Sequence, residues 1–191
     1  MKLLSALSFT LQWICATFTG FLLSLLLIEI GEKPDVGVIQ AIIGATAIAL
    51  PQSLLLRQRI FPLWWVLSTI MAWGAIAAVG IGAVGWIVPR TELFIPRLIS
   101  GGISGTIAGC TIGIAQCLAI CQQVPYAWRW IIVSSFSWGM GIALGSTGGL
   151  FIYQISDLFL GEVVGLAAGW LLVSIFTGIY GYIMFGQVQD L

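Results

Sequence analysis

Apolar residues run along this chain in long blocks without alternation, and short polar clusters interrupt them. The breaks fall at 29–35, where Glu29, Glu32, Lys33 and Asp35 gather, and at Arg57-Gln58-Arg59. They continue at Pro89-Arg90-Thr91-Glu92 with Pro96-Arg97, at Gln122-Gln123-Val124-Pro125, and at Ser156-Asp157. The blocks between them predict six helices, over about 3–28, 36–56, 62–88, 98–121, 127–153 and 162–185. Each block holds ~20 residues or more, enough to cross a hydrocarbon layer of ~30 Å at ~1.5 Å per residue. Inside lipid no water satisfies the backbone, so a spanning segment is a helix or a closed-barrel strand. Blocks this long without period-two alternation read as helices. The pattern therefore predicts an all-α integral membrane protein of six transmembrane helices, forming one domain over 1–191. The first block reaches Ile28, long for the apolar part of a secretory signal, and is read as a span.

Two markers recur within the blocks. Trp13, Trp73 and Trp138 each stand seven residues before a glycine (Gly20, Gly80, Gly145), with steps of 60 and then 65 residues. Small residues recur at four-residue spacing as Gly37, Ala41, Ala45 and Ala49, as Gly101, Gly105, Gly109 and Gly113, and as Gly161, Gly165 and Gly169. The tryptophans fall on odd helices and the ladders on even ones, which predicts three two-helix repeats of about 3–59, 62–121 and 126–186. Two spans per unit preserve orientation, so the repeats are expected to be parallel, with a pseudo-threefold axis along the membrane normal.

Residues four apart share one helix face, and small ones let a neighbouring backbone come close. The ladders are accordingly expected to pack the even helices near the bundle centre; a narrow pore lined by backbone is the alternative. Trp13, Trp73 and Trp138 lie well inside their helices, where an indole N–H needs an acceptor. They either fill grooves beside glycine-rich neighbours or stack on a pigment, quinone or lipid. Trp64, Trp65, Trp128 and Trp130, near predicted helix ends, read as interfacial anchors. Gln52 and Gln116 stand three residues past their ladders, with Phe176 at the matching position when the third ladder is aligned from its first glycine, and are expected to bond a neighbouring helix or interfacial water.

Composition narrows the function classes. The chain is 60% hydrophobic and 7% charged with zero net charge, and its mean hydropathy is +1.09. A soluble domain carries about 25% charged residues, and a neutral chain has no basic face for nucleic acid. Histidine is absent, which removes the commonest general base and metal ligand. Cys15, Cys110, Cys117 and Cys121 sit in or at the ends of apolar blocks, with no disulfide framework; Cys110, Cys117 and Cys121 share a face but lack further ligands for a metal. Glu29, Asp157 and Glu162 fall near helix ends, and Glu162 suits a helix N-terminus. No nucleophile–base pair or phosphate loop stands out, so the chain reads as non-catalytic, without cofactor or metal. Lys2, Arg57, Arg59 and Arg129 fall on the side of the termini, against Lys33, Arg90 and Arg97 opposite, while Glu29, Glu32, Asp35, Glu92, Asp157 and Glu162 gather on the far side. That distribution predicts cytoplasmic termini.

The stretch QSLLLR (Gln52 to Arg57), then WWVLST (Trp64 to Thr69) and Trp73-Gly74, is followed by QCLAIC (Gln116 to Cys121), WRWIIVSS (Trp128 to Ser135) and Trp138-Gly139. This resembles uncharacterised multi-pass membrane proteins, frequent in cyanobacteria, whose pattern is Gln-Trp-Leu-x-Leu-Arg followed by Ser and Trp-Gly. Here Ser53 and Cys117 stand at the Trp position and Cys121 at the Arg position. The resemblance implies a plasma or thylakoid membrane location and transfers no activity or site residues. Taken together, these features predict an accessory, assembly or scaffold subunit that meets lipids and other membrane subunits through helix contacts. A small-solute channel along the axis and a pigment or lipid binding protein are the alternatives.

Overall fold

The computed structural model describes residues 2–28, 30, 36–80, 84–89 and 91–186, with side chains from residue 4 onward. Its regular elements are six helices: α1 (Lys2–Ser24), α2 (Val38–Leu56), α3 (Pro62–Ala78), α4 (Phe94–Ile120), α5 (Arg129–Ser156) and α6 (Leu160–Gly186). Five of them, all but α3, are long and apolar enough to cross a membrane. Each helix packs on its neighbours in sequence, and α1 packs on α6, so the six close into a circle. The start of α1 and the end of α6 meet where Ser5 Oγ and Tyr182 Oη hydrogen-bond at 3.1 Å. At the same end the Phe61 N–H donates to Gln123 Oε1 at 2.8 Å, tying together the connections before α3 and after α4.

The third helix is shorter than its apolar block predicts. It ends at Ala78 instead of continuing to 88, and Gly80 follows with φ +75°, a conformation other residues rarely adopt. Residues 84–88 then turn inward. Trp86 is fully buried and donates its indole N–H to Ser24 Oγ at 2.8 Å. Gly44 makes room for its ring: a Cβ there would lie 2.5 Å from it. Burying an aromatic of this size outweighs nearly three further helical turns in a glycine-rich stretch.

The fourth helix starts earlier than predicted. Pro96 and Arg97, expected in the preceding turn, lie in its first turn, where a missing N–H leaves no helix bond unmade. In α2, Pro51 removes the N–H that would bond the Ala47 carbonyl. Gly20 of α1 sits against that carbonyl, where a Cβ would be 2.6 Å from the oxygen.

The small-residue ladders of α4 and α6 lie against α5 and not at the bundle centre. Gly101, Gly105, Gly109 and Gly113 face one side of α5, and a Cβ at Gly109 would be 2.5 Å from the Ser134 carbonyl oxygen. Gly161, Gly165 and Gly169 face α5 at Tyr153, Gly149, Gly145 and Gly141, so α5 is gripped on two sides. Ala41 and Ala45 are fully buried in α2, while Gly37 is that helix's N-cap. A circle of six helices leaves a centre too wide for glycine to fill, and aromatic side chains occupy it. Trp13, Trp65, Trp73, Trp86, Trp130 and Trp170 are among its most completely buried side chains.

Candidate functional site

The core is organised by one spacing on the odd helices. A large ring, a hydroxyl and another large ring follow at four-residue steps: Trp13, Thr17 and Phe21 on α1; Trp65, Thr69 and Trp73 on α3; Trp130, Ser134 and Trp138 on α5. Four-residue steps keep each set on one helix face, and all nine side chains are buried. The first rings meet edge to face, with centroids 6.0 Å apart for Trp13–Trp65, 6.0 Å for Trp13–Trp130 and 5.7 Å for Trp65–Trp130. The second level gathers Trp73 and Trp138 at 5.2 Å. Trp170 of α6 sits 4.7 Å from Trp138 and stacks on Phe21 at 4.9 Å. Its indole N–H donates to the Gly85 carbonyl at 2.7 Å, an oxygen outside any helix and so free to accept.

Between the two levels lies a girdle of hydrogen bonds supplied by the even helices. Trp65 donates to Gln52 Oε1 at 3.2 Å, and Gln52 Nε2 donates to Thr17 Oγ1 at 2.8 Å. Trp130 donates to Gln116 Oε1 at 2.7 Å, and Gln116 Nε2 donates to Thr69 Oγ1 at 2.9 Å. Each amide thus joins an indole on the following helix to a hydroxyl on the preceding one. On α6, Thr177 Oγ1 accepts the Trp13 N–H at 3.0 Å and donates to the Val173 carbonyl at 2.7 Å. A buried indole or amide left without a partner costs ~1–3 kcal/mol, so these bonds fix which residues can meet here. A cavity of about 30 Å³ opens among the girdle and the surrounding rings. Its lining carries indoles, hydroxyls, amides and aliphatic groups and no Asp, Glu, Lys or Arg.

The structure separates some residues that the sequence grouped. Trp13 lies in the first ring level, Trp73 and Trp138 in the second. Gly20 and Gly145 are helix contacts, against α2 and α6, whereas Gly80 lies past the end of α3 with nothing near its Cβ position. Trp65 and Trp130, expected at the interface, are buried, while their companions Trp64 and Trp128 are exposed. Helical positions one apart point about 100° apart and positions two apart about 200°, so one ring of each pair faces in and the other out. Phe176 packs on Phe136 at 5.7 Å, and it is the next residue, Thr177, that joins the girdle. The ring–hydroxyl–ring spacing was the signal for Thr17, Thr69 and Ser134.

A second polar feature stands outside the girdle. Arg97 Nη1 and Nη2 donate to Glu162 Oε1 and Oε2 at 2.9 and 2.6 Å, deep between α4 and α6. Glu162 therefore has a buried cationic partner beyond the helix N-terminus expected for it. The four cysteines are free, and among the described residues no three His, Cys, Asp or Glu residues gather to hold a metal. Glu29, Glu32, Lys33, Asp35 and Arg90 lie outside the described residues.

No known family model matches the chain, and no curated protein or solved structure matches it. The fold and girdle define an all-helical protein with five helices able to cross a membrane and a hydrogen-bonded aromatic core.

Proposed function

We propose that this is an integral membrane protein of three parallel two-helix repeats about a pseudo-threefold axis. In this reading it serves as an accessory, assembly or scaffold subunit that works by helix contacts rather than by chemistry. The repeat is supported by the ring–hydroxyl–ring spacing on α1, α3 and α5 and by the indole-accepting residue on each of α2, α4 and α6. The resemblance to multi-pass proteins with Gln and Trp-Gly repeats belongs to the same reading, as does a plasma or thylakoid membrane with both termini cytoplasmic.

The observation that carries the contact role is where the aromatic and polar groups are spent. The central tryptophans pack edge to face on one another, and the core cavity is about 30 Å³. A solute path would need a continuous polar opening where these rings stand, and a pigment would need ring faces that they already occupy. The outward faces are instead apolar along every helix, with Leu11, Leu54, Met71, Leu118, Phe136 and Ile179 exposed. Exposed apolar surface of this extent suits lipid and neighbouring helices. The test is purification in mild detergent with identification of what accompanies the protein, alongside solute flux in proteoliposomes. A stoichiometric membrane partner and no flux is the expected result. A bare monomer, or saturable flux, would sink the reading.

A further inference from the structure

We propose that the core cavity is a binding site for one ordered water molecule, which bridges Ser134 and Thr177 where α6 supplies no amide. On α2 and α4 a glutamine spans the gap from an indole to a hydroxyl on the preceding helix. On α6 the residue accepting the indole is Thr177, whose side chain is too short for that reach. Its own O–H turns back to the Val173 carbonyl. The hydroxyl that a third amide would meet is Ser134 on α5, one helical turn past Trp130 as Thr17 and Thr69 are past Trp13 and Trp65.

Ser134 is 2% exposed, lines the cavity and makes no side-chain hydrogen bond among the described residues. Trp73 and Trp138, also lining it, are 2% and 5% exposed, and their indole N–H groups have no acceptor among the described residues. Polar groups this buried are normally paired with protein or with ordered water. A cavity of about 30 Å³ exceeds the ~10–15 Å³ that one water needs, and a buried water typically makes about three hydrogen bonds. The same volume is too small for an organic solute. A cation would lie among neutral groups without a carboxylate to compensate it, which burial disfavours. Water can donate to Thr177 Oγ1 while accepting from the Ser134 hydroxyl or an indole, so both donors and acceptors are met.

The test is a structure at a resolution that shows solvent, for the wild-type protein and for Thr177→Gln and Ser134→Ala. In the wild type a single solvent peak is expected within hydrogen-bond distance of both Ser134 Oγ and Thr177 Oγ1. In T177Q the amide should replace that peak. In S134A, which keeps Thr177 and the cavity, the peak should weaken or vanish. Water-selective NMR of the wild type should show a long-lived water beside core indole protons, a signal that does not depend on either variant folding. A dry wild-type cavity, an ion or other molecule in that place, or a peak that persists in T177Q would overturn the proposal.

Discussion

Arg97 and Glu162, 65 residues apart in sequence, form a two-pronged ion pair with side chains only 2% and 6% exposed. Gly149 of α5 opposes it, and a Cβ there would lie 3.0 Å from Glu162 Oε2. Arg97 Nε has no partner among the described residues. Breaking a buried pair strands a charge, whereas replacing both partners removes the desolvation cost. Glu162→Gln is expected to lower stability by ~3–5 kcal/mol, and the double variant R97M/E162L to be neutral or more stable. Thermal unfolding in detergent checks both, and a double variant as weak as E162Q would contradict the argument.

The girdle predicts coupling between indole and amide. Gln116→Leu leaves the Trp130 N–H without its acceptor and should cost ~1–3 kcal/mol. Trp130→Phe in the same background should add less than it does alone, because the donor is then already orphaned. A double-mutant cycle by thermal unfolding measures this interaction; strictly additive losses would refute it.

Glycine contacts along α4 and α5 differ in what a methyl group would meet. At Gly109 it would strike the Ser134 carbonyl oxygen and the Trp138 side chain, whereas at Gly148 nothing lies within 4 Å. Gly109→Ala is expected to destabilise by ~1–3 kcal/mol through overpacking. Gly148→Ala should be neutral or stabilising by up to ~1 kcal/mol, since alanine is the better helix former. Equal melting temperatures for the two variants would contradict the close approach of α4 to α5.

The proposed membrane topology makes a labelling prediction. In a background without native cysteines, Lys2→Cys and Gly186→Cys should react with an impermeant maleimide from one side, and Asp157→Cys from the other. Labelling of Lys2 and Gly186 from opposite sides would mean that one helix, α3 being the shortest, does not cross.

Much of the helical layout was legible in the apolar blocks, because an 18-residue run without charge has few other stable forms. The end of α3 was not, since glycine tolerance and the burial of Trp86 act through tertiary contact with Ser24 and Gly44. The glycines of α4 and α6 approach α5 closely, but four-residue spacing marks a face and not what it faces. Trp65 and Trp130 are buried despite their place near helix ends, because proximity to an end says nothing of rotation about the axis. The amides were visible as matched positions, yet their partners are 13 to 47 residues away. Arg97 and Glu162 carried no local hint of each other, and their burial follows only once α4 and α6 flank α5.

The bond from Trp13 to Thr177 spans 164 residues, and this has a consequence for biogenesis. Helix α1 emerges carrying an indole whose acceptor is synthesised 164 residues later. Until α6 arrives, that flank stays unsealed and its donor unanswered. Chains halted after α5 would thus carry a recognisable defect, a natural handle for the chaperones and proteases that sort finished from unfinished products.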